Sequence, residues 1–280
     1  MIFIKTLVIQ IDVNSNKLKN ISTIERYINL AINKSKIDLV ILPEMFCCPY
    51  DNKNFPVYCE VEGGNLYNIL SDIAKKYNIY LVAGSIPEKD NSKIYNTSYV
   101  FDRCGNKIAK HRKIHLFDIS IDAGQKFLES DTLSSGNDVT VFDTEFGKIG
   151  LCICYDFRFF EICKIMVDKG AKAIIVPASF NMTTGPIHWE LLFKSRAVDN
   201  QVYTIGCSSS RNNNSSYISY GNSILVSPFG EVLNRLDEKE GYFIADIDFS
   251  YVEKIRNQLP LLKHRRNDLY NVSYTDNSKV

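Results

Sequence analysis

The sequence predicts an α/β protein of two β-sheets packed back to back, with helices on the outer faces. Three observations carry this expectation. Apolar, β-branched runs of strand length alternate with runs of helical period along the chain. Helical runs fall both early and late with strands between them, which supplies two outer layers. No linker, low-complexity stretch or solenoid-length repeat divides the 280 residues, so one domain over 1–280 is expected, with a polar tail from about 260. Periodicity alone leaves a doubly wound sheet open.

Residues 2–11 are apolar and β-branched and read as the first strand. Residues 22–32 carry Ile24, Ile28 and Ile32 at helical spacing. Residues 38–42 are nearly all apolar, as in a strand buried on both faces, and Pro43 stops them. A helix is predicted over 66–77 and strands over 80–85, 95–101 and 107–112, with a hairpin turn around Gly105. Residues 116–137 are polar and irregular, and a loop of that length is usually functional or flexible. Strands follow at 139–144 and 148–154, joined at 145–147. Next come a helix over 161–169, a strand over 173–177 and a helix over 188–200. Strands at 202–207, 223–226, 231–236 and 242–248 and a helix at 251–258 complete the pattern, and the tail is expected to run over the surface or a partner.

Composition narrows the function. The chain is 45% hydrophobic and 23% charged, which suits a globular core and not a disordered chain. Lys plus Arg is 33 against 32 for Asp plus Glu; a nucleic-acid binder normally carries a basic excess, so none is expected. No apolar run reaches membrane-span length. The first strand-like run starts at Ile2, so no leader is expected, and the 8 cysteines are expected to be reduced in the cytoplasm.

Three segments put reactive side chains at strand ends, where layered α/β proteins place their sites. In Leu42-Pro43-Glu44-Met45-Phe46 a carboxylate stands on a stiff backbone among apolar neighbours. Burial there would raise Glu44 toward neutrality, as a general base needs, although a strand-end cap or ion pair explains this segment alone more simply. His111-Arg112-Lys113-Ile114-His115 is either an anion-binding strand end or a solvated basic edge. In Gly150-Leu151-Cys152-Ile153-Cys154-Tyr155-Asp156-Phe157-Arg158 a strand meets a sharp turn ahead of a helix. That strand–turn–helix logic exposes one thiol, and Cys154, at the turn, is preferred over Cys152; an inert buried cysteine is the alternative. Cys-x-x-Cys, glycine-rich dinucleotide and phosphate-loop motifs are all missing from the sequence. The expectation is therefore a reaction without metal or cofactor, through a cysteine with a carboxylate as base.

Together the three segments resemble the nitrilase superfamily of carbon–nitrogen hydrolases, over nearly the whole chain to about Tyr270. A closer likeness to its ω-amidase branch lies in Phe180-Asn181-Met182-Thr183-Thr184-Gly185-Pro186-Ile187-His188-Trp189, continued by Ser195-Arg196-Ala197-Val198-Asp199-Asn200, and in the stretches at 116–119 and 127–130. Departures are the sulfur-rich Cys47-Cys48 and the Asn/Ser-rich run at 211–216. The resemblance implies a four-layer α-β-β-α sandwich and a homodimer to which the helix after Cys154 and the polar tail contribute. It also implies hydrolysis of the terminal amide of a small dicarboxylic monoamide, such as α-ketoglutaramate or α-ketosuccinamate. Other aliphatic amides, N-carbamoyl compounds and nitriles are the alternative substrates.

Carried over residue by residue, the resemblance makes Cys154 the nucleophile and Glu44 the general base. Lys113 stabilises the oxyanion with the backbone N–H of Tyr155, and Glu129 orients Lys113 and the amide. Among the remaining residues, Arg158 either meets the substrate carboxylate or pairs structurally with Asp156 or Glu161. Phe180, Met182 and Thr183 follow a strand end and are candidate pocket residues, and Tyr50 is a further candidate from the loop after Glu44. His188 and Trp189 read as core or interface.

Overall fold

The computed structural model describes residues 3–122 and 126–275. Ile2 of the first strand, positions 123–125 of the long loop and the last five positions of the tail lie outside the described residues. In chain order the elements are β1 (Phe3–Gln10), α1 (Lys17–Ile32), β2 (Leu39–Ile41), α2 (Phe55–Tyr58), α3 (Asn65–Tyr77), β3 (Tyr80–Val82), β4 (Ile86–Asp90), β5 (Lys93–Phe101) and β6 (Lys107–Arg112). They continue with β7 (Asp118–Ser120), β8 (Lys126–Leu128), β9 (Thr140–Thr144), β10 (Gly147–Leu151), α4 (Phe160–Asp168), β11 (Ala173–Ala178) and α5 (Gly185–Asn200). The last are β12 (Tyr203–Ser208), β13 (Ile224–Val226), β14 (Val232–Arg235), β15 (Gly241–Asp248) and α6 (Phe249–Gln258).

Two large sheets organise these strands. The first runs β15-β1-β2-β3-β5-β4, with β6 pairing to β5; the second runs β14-β13-β12-β11-β10-β9. Each has a parallel centre: β1–β2–β3 in one and β10–β11–β12 in the other. Their inner faces share one core, in which Val8, Ile41 and Val82 of the first sheet meet Leu151, Ile175 and Ile205 of the second. The outer face of the first sheet is covered by Ile24 and Ile28 of α1 and Leu70 and Ile73 of α3. The outer face of the second is covered by Met166 of α4 and Trp189 and Phe193 of α5. This is the four-layer α-β-β-α sandwich, and it resolves the doubly wound alternative.

The differences from the sequence reading have local causes. Helix α1 begins at Lys17, because Asn16 caps it by accepting from the Lys19 N–H. Strand β10 ends at Leu151 and not at Cys154; the chain leaves the ladder early to make the turn that carries the thiol. The loop at 116–137 holds the β7–β8 hairpin and a 3-10 turn at Glu129–Asp131. The predicted scheme lacks β4, a strand whose Pro87 and charged Glu88, Lys89 and Asp90 mask its periodicity. Beyond α6 the described tail is largely exposed, and it returns to the body where the Tyr274 hydroxyl donates to Asn137 O at 2.9 Å. Among the described residues no helix is long and apolar enough to cross a membrane.

Candidate active site

Glu44 follows β2 on a turn fixed from two sides. Leu42 N donates to Val82 O at 3.1 Å, and Met45 N donates to the Ser85 hydroxyl at 3.0 Å. Gly84 is required beneath it. At φ +52° a side chain would be strained, and a Cβ would stand 2.1 Å from Pro43 O. Lys113 follows β6, where its N–H donates to Asn96 O at 2.9 Å and its carbonyl accepts from Gly136 N at 2.8 Å. A Cβ on Gly136 would meet Arg112 O at 2.2 Å, so only glycine lets this chain segment close over Lys113. Cys154 opens a 3-10 turn with φ +46°, and Met45 beside Glu44 has φ +49°. Left-handed backbone at non-glycine residues costs about 1–3 kcal/mol each and clusters at functional sites.

These elements bring five buried polar side chains together. Lys113 Nζ donates to Glu44 Oε1 at 3.1 Å and to Glu129 Oε1 at 2.9 Å. The Tyr50 hydroxyl hydrogen-bonds to Glu129 and lies 3.3 Å from Glu44 Oε1. Asn96 Nδ2 donates to Glu44 Oε1 at 2.8 Å, which leaves Glu44 Oε2 with no hydrogen-bond partner among the described residues. Glu129 is anchored by the Phe117 N–H at 2.6 Å. Lys113 and Glu129 are wholly buried, and Glu44 is 1% and Cys154 4% exposed.

The electrostatics follow from burial. Burial pushes the Glu44 carboxyl up; Lys113 opposes this and Glu129 adds to it. Burial also works against the Lys113 charge, but Glu129 and Glu44 outweigh it and hold Lys113 above its ordinary value. Burial and then Glu44 push the Cys154 thiol well up, against the pull of Lys113 and of the Ser179 backbone. A resting thiol of this kind keeps its proton until a neighbouring base takes it. Protons in such a cluster belong to the group and not to single residues.

The basic run at the end of β6 divides. Arg112 pairs with Glu88 and Asp90, Lys113 enters the cluster, and His111 and His115 both meet Asp156. Arg158 pairs with neither Asp156 nor Glu161. Its Nη1 meets His188 Nδ1 at 3.0 Å, and its guanidinium lies 4.6 Å from the centre of the Phe180 ring. Among the described residues Arg158 has no carboxylate partner, and burial lowers its pKa. His188 is therefore an Arg158 contact, whereas Trp189 is core at 0% exposure. Phe180 is buried under Arg158, and Met182 and Thr183 stand exposed on the following turn. Tyr155 is half-buried; its N–H, at the head of the turn, has no acceptor within the turn.

Four contributors escape the sequence reading. Asn96 lies in a buried polar triplet with Thr97 and Ser98 inside β5, an unusual pattern for a central strand. Tyr217 lies 4.5 Å from Tyr50, ring to ring, and its hydroxyl hydrogen-bonds to Ser179 O at 2.5 Å. It is an isolated aromatic after an Asn/Ser-rich run. Ser179 and Asp156 offer no signal beyond their closeness to other motifs.

The structure thus sets a buried Glu–Lys–Glu cluster beside a thiol on a strained turn. The family profile described as Carbon-nitrogen hydrolase matches residues 6–257. The chain belongs to the carbon–nitrogen hydrolase family. It is 45% identical over 268 residues to omega-amidase NIT2-A of Xenopus laevis, covering 96% of this chain and 97% of that protein. It is 44% identical over 264 residues to omega-amidase NIT2 of Homo sapiens, covering 94% and 95%. Among solved structures, Saccharomyces cerevisiae Nit3, a member of branch 10 of the nitrilase superfamily, matches with a TM-score of 0.87 and 42% identity, covering 94% of this chain and 97% of that one.

Proposed function

We infer that this chain is an ω-amidase. It hydrolyses the terminal amide of a small dicarboxylic monoamide, with α-ketoglutaramate and α-ketosuccinamate as the expected substrates, to the keto acid and ammonia. The observation that carries the chemistry is the buried Lys113 shared by Glu44 and Glu129 beside Cys154. The near-full-length likeness to omega-amidases supports the substrate class.

In the proposed mechanism the Cys154 sulfur attacks the amide carbon while Glu44 takes the thiol proton. The raised positions of both groups suit this coupled transfer. The oxyanion is met by the Lys113 ammonium and the Tyr155 N–H, and Glu129 fixes Lys113 in place. Collapse breaks the C–N bond, and the proton held by Glu44 goes to the departing ammonia. Glu44 then deprotonates a water that attacks the thioester, and the proton returns to sulfur as the acid leaves. Covalent catalysis divides a hard amide hydrolysis into two easier steps.

Arg158 supplies the counter-charge for the remote carboxylate of the substrate; a half-buried guanidinium without an acidic partner among the described residues suits bidentate capture. Phe180 supports it from below. Tyr50 holds Glu129 and walls the site, and Met182 and Thr183 sit on the turn beyond Phe180. All 8 cysteines are free, which fits a reducing cytoplasm. We assign a homodimer: Ile187, Leu191 and Val198 of α5 are exposed apolar side chains available to a second copy. A monomeric mass by sedimentation equilibrium would remove that assignment.

The test is ammonia release from α-ketoglutaramate by the wild type and by Cys154→Ala. Turnover by the wild type alone supports the reading, and equal rates overturn it. Activity confined to neutral amides, N-carbamoyl compounds or nitriles moves the substrate class and keeps the nucleophile.

A further inference from the structure

The carboxylate of Asp156 is wholly buried two residues after Cys154 and accepts hydrogen bonds from the segment that carries Lys113. Its Oδ1 accepts from Ile114 N at 3.1 Å, His115 N at 2.8 Å and His115 Nδ1 at 3.0 Å. Its Oδ2 accepts from His111 Nε2 at 2.9 Å and from Ile153 N at 3.1 Å. The donors therefore flank Lys113 on both sides, at 111 and at 114–115, and one of them immediately precedes Cys154. Lys113 and Cys154 come from different sheets, since β6 belongs to the first and β10 to the second. One side chain ties the two together.

We propose that Asp156 is a positioning residue that locks the Lys113 segment onto the Cys154 turn and so sets where the ammonium stands relative to the sulfur. The proposal rests on the Glu44–Lys113–Cys154 mechanism above and names what holds its parts in register. Simple stability does not need this arrangement. A buried ion network is often replaceable by apolar groups at no loss, whereas a displacement of about 1 Å at reacting groups can cost about 10²-fold in rate.

The design suits a fixed strut. The groups that face Asp156 are His111 and His115 and the three amides, with Thr140 behind His111 at 3.0 Å from its Nδ1. Burial works to raise the Asp156 carboxyl, but the bonds from His111 and His115 outweigh it and hold it well below the ordinary range. It therefore stays an acceptor at all its contacts and takes no proton from the chemistry. His115 is steadied by stacking on Phe159, with centroids 3.7 Å apart and planes 12° from parallel.

Asp156→Asn tests this, because an amide must turn an NH2 toward N–H donors on one side or the other. The expected result is a kcat for ammonia release about 10²-fold lower with KM changed less than about threefold. The second readout needs no turnover: the pH profile of Cys154 alkylation by iodoacetamide, mapped by peptide mass. Lys113 opposes the upward shift of the thiol, so a loosened Lys113 moves that profile to higher pH. A merely structural role lowers the melting temperature and leaves both readouts unmoved. A folded variant with kcat within twofold and an unshifted profile overturns the proposal.

If Asp156→Asn does not fold, His115→Ala decides. It removes one Oδ1 partner from a partly exposed position, with an expected kcat loss of about three- to tenfold at constant KM; an unchanged kcat overturns the proposal. Failure of the mechanism itself looks different: Cys154→Ala then keeps wild-type ammonia release, and the positioning role falls with it.

Discussion

Arg112 and Lys113 are consecutive residues, and each faces two carboxylates. Arg112 forks onto Glu88, Nε to Oε2 and Nη2 to Oε1, both at 2.8 Å, and also meets Asp90 at 2.8 Å. It lies 3.9 Å from the centre of the Tyr95 ring. Lys113 is a buried point charge between Glu44 and Glu129, and one Glu44 oxygen is left without a partner among the described residues. The consequences are opposite. Burial works to raise the Glu88 carboxyl, but Arg112, Thr97 and Lys110 hold it down at about 2. Burial wins at Glu44, whose carboxyl is raised. A planar fork saturates its carboxylate, whereas an ammonium shared between two acids leaves basic capacity unspent. A cation between carboxylates makes a fixed ion pair on one side of the segment and, in the proposed mechanism, a proton-transfer site on the other.

The sharpest way to break this contrast is to remove each cation in turn. Lys113→Met is expected to lower kcat by about 10²–10³-fold, or roughly 3–4 kcal/mol, the usual loss for an oxyanion donor. Arg112→Met is expected to change kcat by less than about threefold, because nothing it touches meets the reacting atoms. Steady-state ammonia release by both variants, with folding checked by circular dichroism, decides. Comparable losses in kcat would mean that the two ion-pair groups are not separable.

A third cation extends the comparison, since Arg158 has neither a forked acid nor a shared one among the described residues. Arg158→Met is expected to lower kcat/KM for a dicarboxylic monoamide by about 10²-fold, the loss of one charge-assisted pair in a half-buried site. A neutral aliphatic amide should lose little. Equal losses on both substrates would return Arg158 to a structural role beside His188 and Phe180.

How much of this is legible in the sequence depends on the range of the interactions. The strands at 38–42 and 173–177 and the helices of α1, α3 and α5 are readable because their periodicity is local. Glu44, Lys113 and Cys154 stand out as strand-end positions, and their motifs in order carry the family. The partner of Arg158 is not readable. Asp156 and Glu161 are near in sequence, but the turn aims Asp156 at the other sheet and leaves Arg158 to His188, thirty residues on. Nor does spacing reveal that Asn96 and Tyr50 complete the cluster, because β5 register and a folded loop create that proximity. The fate of the basic run at 111–115 is also tertiary. Alternation at a strand end sends neighbours to opposite sides, and only the packed sheets say which side is wet.

The smallest expected effect concerns Glu88 and tests the structural half of the contrast through its pH dependence. A carboxylate held lower in the folded chain than its ordinary 4.5 contributes stability that is complete above that value and is lost as pH falls toward about 2. Arg112 is partly open to solvent, with 20% of its side chain exposed, so screening reduces the contribution to about 2 kcal/mol. Glu88→Gln should therefore destabilise the protein by about that amount in urea at pH 7 and leave kcat nearly unchanged. Between pH 4.5 and pH 2 the gap between variant and wild type should close, because a protonated Glu88 and the amide that replaces it are then near-equivalent partners for Arg112. A gap that persists at pH 2 would assign the stabilisation to packing of the Glu88 side chain and not to its charge.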